Sequence, residues 1–177
     1  CEDKEITLPS AHIPVKVSTK GGSVESVELK EYKSYQDFEA QKDKPLLLYS
    51  SKDANLNFLL DTKENTMDFS NYYFEPVNVS DSTVTMRLTA QDGATIDIDY
   101  KLLKDNYLLN FDVKSQGMQK HLPSSLNSIQ LAWHDRVSQH EKGFYFENMY
   151  STLTYKKHDD DTKKLSENET EEERVTE

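Results

Sequence analysis

The run His134-Asp135-Arg136-Val137-Ser138-Gln139-His140-Glu141 places two imidazoles, two carboxylates and a guanidinium within eight residues. Imidazoles and carboxylates are the groups that ligate zinc or exchange protons, but either task needs two or three of them converging on one point. His134 and His140 stand six apart, which matches no helical or strand-based ligand pair, so the plainer reading is a polar loop after a strand. Asp97 and Asp99 form a second pair of acids of the type that serves glycoside hydrolysis. They alternate with apolar residues, and the wet face of a strand accounts for them more simply. Gly-x-Ser-x-Gly nucleophile turns and phosphate-cradling glycine loops are absent from the sequence. Only five glycines occur, and Gly21-Gly22 fits a hairpin turn rather than a strand-to-helix junction. The expectation is a protein without catalytic residues, metal site or cofactor.

Aromatic side chains offer a different chemistry. Asn71-Tyr72-Tyr73-Phe74, Tyr145-Phe146, Tyr150 and Tyr155 supply rings that could line a groove for sugar or peptide. Tyrosine also favours the half-buried pleated surface of a sheet, and packing accounts for most of these rings. Tyr72, Tyr73, Tyr145 and Tyr150 are the candidates for a cleft.

Charge narrows the partners. The 177 residues carry a net −11 from 32 acidic and 21 basic side chains. Nucleic acid is excluded as a natural partner, because its binding rests on Lys and Arg neutralising phosphates. Direct docking on anionic headgroups is disfavoured for the same reason. Residues 158–177 hold nine acids and three bases, which reads as a solvated, flexible segment. No run approaches the roughly 18–20 apolar residues that cross a bilayer, so any membrane attachment would lie outside this sequence. The single cysteine, Cys1, cannot form an internal disulfide. It is either an accident of where the sequence starts or the lipid-bearing residue of a lipoprotein, followed by a polar leader.

The elements that would position these groups are strands. Ile13, Val15 and Val17 share one face ahead of Gly21-Gly22, and Val27 and Leu29 alternate with polar residues after it, as in a hairpin. In Thr83–Thr89, Val84, Met86 and Leu88 face one way. Ile96, Ile98 and Tyr100 follow the turn at Gln91-Asp92-Gly93, and Tyr107, Leu109, Phe111 and Val113 follow the turn at Lys104-Asp105-Asn106. Three such strands with short turns predict an antiparallel meander. Further strands are expected at Pro45–Tyr49, Asn55–Leu60, Tyr72–Val79, Leu126–Trp133 and Ser151–Lys156. The best helix candidate, Lys163–Val175, has no apolar face. The pattern predicts an all-β antiparallel sandwich over residues 13–157, preceded by a leader at 1–12 and followed by the acidic segment at 158–177.

Several segments together resemble the periplasmic domain of YidC-type membrane protein insertases in their Bacteroides-like form. These are the turn and strand from Gly21-Gly22 to Leu29-Lys30, the short Lys44-Pro45-Leu46-Leu47-Leu48-Tyr49, the strand Leu126 to Trp133, and Glu141-Lys142-Gly143 ahead of Tyr150-Ser151-Thr152. The resemblance implies a twisted supersandwich of the galactose-mutarotase-like type at the periplasmic face of the bacterial inner membrane. It implies a non-catalytic domain that serves nascent membrane proteins and Sec translocon subunits as a docking surface. The family's insertion groove lies in transmembrane helices that this sequence lacks, so no insertase residue carries over.

A sheet edge is a natural docking device, because its unpaired backbone groups accept a further strand. The candidate edge comprises Val24, Val27, Leu29, Leu46 and Leu48. Two other readings stand beside this one. A lipid-anchored or secreted carbohydrate-binding sandwich would use Cys1 and the tyrosines, whereas an epimerase or hydrolase would need His134 and His140.

Overall fold

Gly21 and Gly22 turn the chain with φ of 75° and 60°, the left-handed region that side chains resist. A Cβ on Gly22 would stand 3.0 Å from Phe74 and 3.2 Å from Ile98, so both conformation and space demand glycine there. The turn joins β2 (Val15–Ser18) to β3 (Val24–Leu29), the expected hairpin. The structure is a computed structural model, and it describes residues 2–156, 161–165 and 170. The chain divides into two compact units, Cys1–Lys33 with Lys44–Val137, and Ser34–Asp43 with Ser138–Glu177.

The first unit is built from antiparallel sheets. One runs β1-β2-β3-β4, with β1 at Glu5–Leu8 and β4 at Leu46–Ser50. The segment expected as a leader therefore supplies an edge strand, and its Leu8 is fully buried. β5 (Ala54–Asp61) and β6 (Thr66–Asp68) form a hairpin that β11 (Gln130–Asp135) extends in the order β11-β5-β6. The third sheet runs β10-β9-β8-β7. It contains β7 (Glu75–Val77) and the meander of β8 (Thr83–Thr89), β9 (Thr95–Leu102) and β10 (Leu109–Gln116).

Alternation decides the core. Val15 and Val17 of β2, Phe58 and Leu60 of β5, Val84 and Met86 of β8, and Ile96, Ile98 and Tyr100 of β9 meet in one buried cluster with Phe69 and Phe74. Faces from all three sheets thus close on one another, an all-β antiparallel arrangement of the sandwich kind. Burial pushes the Tyr100 hydroxyl pKa up, and the hydroxyl donates to the Gly22 carbonyl at 2.9 Å. That bond ties the meander to the hairpin turn.

Strand boundaries shift where local geometry intervenes. The strand expected at Tyr72–Val79 shrinks to β7, because Phe69–Asn71 winds into a 3-10 turn whose Ser70 N–H is accepted by Asp68 at 2.9 Å. Asn78 then leaves the strand with a φ of 52°. β10 starts at Leu109 rather than Tyr107, after Asp105 takes a φ of 52°. The strand expected at Leu126–Trp133 is displaced to Gln130–Asp135.

The second unit contains helices that periodicity did not reveal. α1 (Tyr35–Glu39) starts on a reciprocal cap: Ser34 Oγ accepts from the Asp37 N–H at 3.1 Å and donates to the Asp37 carboxylate at 2.9 Å. α2 (Phe144–Tyr150) follows Gly143, and Glu147 reaches back to accept from the His140 and Glu141 N–H groups at 2.7 and 3.1 Å. The helix takes up Tyr150, so the strand expected at Ser151–Lys156 is reduced to β12 (Thr154–Tyr155). β12 pairs with β13 (Lys163–Lys164), which replaces the start of the helix candidate at Lys163–Val175. Most of the acidic segment lies outside the described residues.

Candidate functional site

Of the groups that suggested chemistry, the two carboxylates of β9 are held by neighbouring side chains. Asp97 holds Arg87 in a two-pronged pair at 2.7 and 2.8 Å. Asp99 accepts from Thr85 at 2.5 Å and from Lys114 at 2.6 Å. Burial pushes the Asp99 carboxyl up, but the hydrogen bonds from Lys114 and Thr85 together hold its pKa below the usual carboxylate range. These carboxylates brace neighbouring strands across one sheet face. His134 lies on β11 in the first unit, and His140 belongs to the second unit, where its carbonyl accepts from the Tyr35 N–H at 2.7 Å. Among the described residues no three His, Cys, Asp or Glu side chains gather as they would to hold a metal.

The candidate docking residues fall on two unlike strands. Val24, Val27 and Leu29 sit on β3, which has β2 on one side and β4 on the other, so its backbone offers no free edge. Val24 is buried, and Val27 and Leu29 pack against the core. Leu46 and Leu48 sit on β4, the last strand of that sheet, with Leu48 exposed.

Sequence reasoning did not single out β11 as an edge. It ends the three-stranded sheet, and all six of its residues are exposed. Register sets Leu131 opposite Phe58 and Trp133 opposite Leu56. Leu131 and Trp133 therefore continue the buried face of β5 sideways into solvent, 48% and 62% exposed. The signal that could have found them was the alternation itself, which gave Ile129, Leu131 and Trp133 one face but not how far Leu131 and Trp133 are exposed.

The candidate cleft rings are divided between the two units. Tyr72 lines a cleft in the first unit of about 370 Å³, and Tyr73 is not among its walls. Tyr145 and Tyr150 lie on α2 in the second unit, 72% and 76% exposed. The cleft has an apolar floor of Met67, Leu88, Ile96 and Met118. Three loops close its rim. The Lys63 N–H donates to the His121 carbonyl at 2.8 Å, and Lys63 Nζ reaches the Lys120 carbonyl at 2.9 Å. His121 Nε2 meets the Asp92 carboxylate at 2.9 Å, which draws in the β8–β9 turn. That contact and the Ala94 N–H hold the Asp92 pKa below the usual range.

The YidC periplasmic domain family model matches residues 5–177. A membrane protein insertase YidC of Phocaeicola vulgatus is 43% identical over 85% of this chain and 23% of its own length. The corresponding protein of Bacteroides fragilis is 38% identical over 97% of this chain and 27% of its own. That of Porphyromonas gingivalis is 33% identical over 99% of this chain and 27% of its own. This chain thus spans about a quarter of the length of these relatives, whose names indicate no enzyme family. No solved structure matches it. The match from β1 onward, with an antiparallel fold and identities above 30%, makes the chain a member of the YidC periplasmic domain family.

Proposed function

We propose that this chain is a non-catalytic periplasmic module of a membrane protein insertase. In this reading it works at the periplasmic face of the bacterial inner membrane and is attached through segments outside the chain. Its role is to offer docking surface to apolar stretches of nascent membrane proteins. Family membership supports the insertase assignment. The observation that carries docking is β11, an edge strand whose Leu131 and Trp133 extend the inner face of β5 into solvent.

An edge strand adds an extended chain through backbone hydrogen bonds, and side chains on alternate positions select apolar partners. Leu131 and Trp133 supply such a face beside the free backbone. The test is a photo-cross-linking residue at position 131 in the full-length insertase, probed during synthesis of a membrane protein. An adduct with the nascent chain is expected. Adducts confined to Sec translocon subunits, or to another part of the insertase itself, would overturn this assignment of the surface.

A further inference from the structure

The cleft beside Tyr72 has a construction that docking at β11 does not use. Its walls come from the β5–β6 turn, the β8–β9 turn and the 3-10 turn at Met118–Lys120, three loops distant in sequence. Lys63 and the His121–Asp92 pair fasten these loops to one another through the contacts described above. Gly117 turns the chain beside Ala94 with a φ of 73°, the left-handed region that side chains resist. A rim cross-linked in this way is formed before any ligand arrives, which lowers the ordering cost of binding.

The lining then selects a ligand class. Floor residues Met67, Leu88, Ile96 and Met118 present hydrocarbon and thioether to the cavity, and methionine adapts its shape to irregular apolar bodies. At the rim stand Lys63, Lys120 and His121, with Glu64 as the acid not engaged in the His121–Asp92 pair. The Lys120 side chain makes no hydrogen bond among the described residues, so its ammonium is available to a ligand. In a chain of net charge −11, a rim where the ammonium groups of Lys63 and Lys120 stand against the carboxylates of Glu64 and Asp92 is locally balanced rather than acidic. A volume of about 370 Å³ falls within the range of small-molecule sites, roughly 300–1,000 Å³.

We propose that this cleft binds a small anionic amphiphile, its apolar body on the methionine-rich floor and its acidic head at Lys63 and Lys120. A carboxylate or a phosphate head fits the same pair of ammonium groups, so two probes separate the sources. The 177-residue chain is titrated with octanoate, with octyl phosphate and with neutral octanol, each below its aggregation concentration, while backbone amide NMR shifts are followed. Saturable one-to-one binding is expected for at least one of the two anions, with shifts gathered at Lys63, Leu88, Ala94 and His121. Octanol should bind at least about tenfold more weakly, the loss of one charge-assisted contact worth about 1.4 kcal/mol.

Lys120→Glu should weaken the anion at least about tenfold by the same reasoning. Lys104→Glu, an equal change of charge outside the cleft, should leave affinity within about twofold, as expected of an exposed charge far from the site. Retention of the amide spectrum by both variants separates lost binding from lost folding. Octanol binding as tightly as either anion overturns the proposal, as does an equal loss in both lysine variants. Shifts scattered over the surface without saturation overturn it too.

Discussion

β9 and β11 are written in the same pattern and end in opposite environments. Each alternates apolar and polar residues, Ile96, Ile98 and Tyr100 in one and Leu131 and Trp133 in the other. The β9 residues are 3%, 0% and 1% exposed, whereas Leu131 and Trp133 are 48% and 62% exposed. Alternation assigns side chains to a face, because successive residues of a strand point to opposite sides. It does not determine what lies over that face. β9 runs between β8 and β10, and Gly22 and Phe74 press on its inner side. Among the described residues β11 has a neighbour on one side alone, and its register sets Leu131 beside the buried Phe58. The difference between a core strand and an exposed one is thus one of position in the sheet.

Truncating each strand tests this contrast most directly. Ile98→Ala should cost about 2–5 kcal/mol in urea denaturation followed by far-UV circular dichroism, since it opens a cavity in a closed core. Gly22→Ala should cost about 2–3 kcal/mol, from the left-handed φ and the crowding against Phe74 and Ile98. Asp99→Asn should cost about 1 kcal/mol or less at pH 7, because the pair with Lys114 is partly screened by solvent. The sign with pH is fixed by the lowered carboxyl. Its contribution is present above the unfolded pKa near 3.8 and fades as pH falls through the folded value, so the gap between wild type and variant should narrow as pH falls below 3.8. Trp133→Ala should change stability by no more than about 0.5 kcal/mol, as for an exposed side chain. A cost for Trp133→Ala equal to that of Ile98→Ala would erase the distinction between the two strands.

Particular residues show how far a linear reading reaches. The hairpin at Gly21-Gly22 and the meander from Thr83 onward are visible because local turns join consecutive strands, and alternation repeats on both sides of each turn. α1 was also written in the sequence: Ser34 stands three residues before Asp37, a helix-start pair, but five residues are too few to show a 3.6-residue stripe. α2 is harder to see, since Phe144-Tyr145-Phe146 are residues that favour strands, and Glu147 closing on the His140 and Glu141 N–H groups helps hold the helix. Of the residues expected to form a cleft, Tyr72 alone lines the one beside Lys63. That cleft is closed in part by Lys63, whose side chain and N–H meet backbone carbonyls more than fifty residues away, and backbone acceptors leave no mark on residue identity.

What the sequence by itself determined is therefore the local grammar of this protein: an acidic chain of alternating strands, glycine turns at two compulsory positions, and motifs specific enough to show its family. Only the tertiary structure decided that β3 is enclosed while β4 and β11 are terminal, and that three distant loops surround a cavity with two lysines at its rim. The physical reason is range. Turn conformations and face assignment depend on residues a few positions apart, whereas strand order and enclosure depend on contacts between residues tens of positions apart, among many arrangements that the same alternation allows.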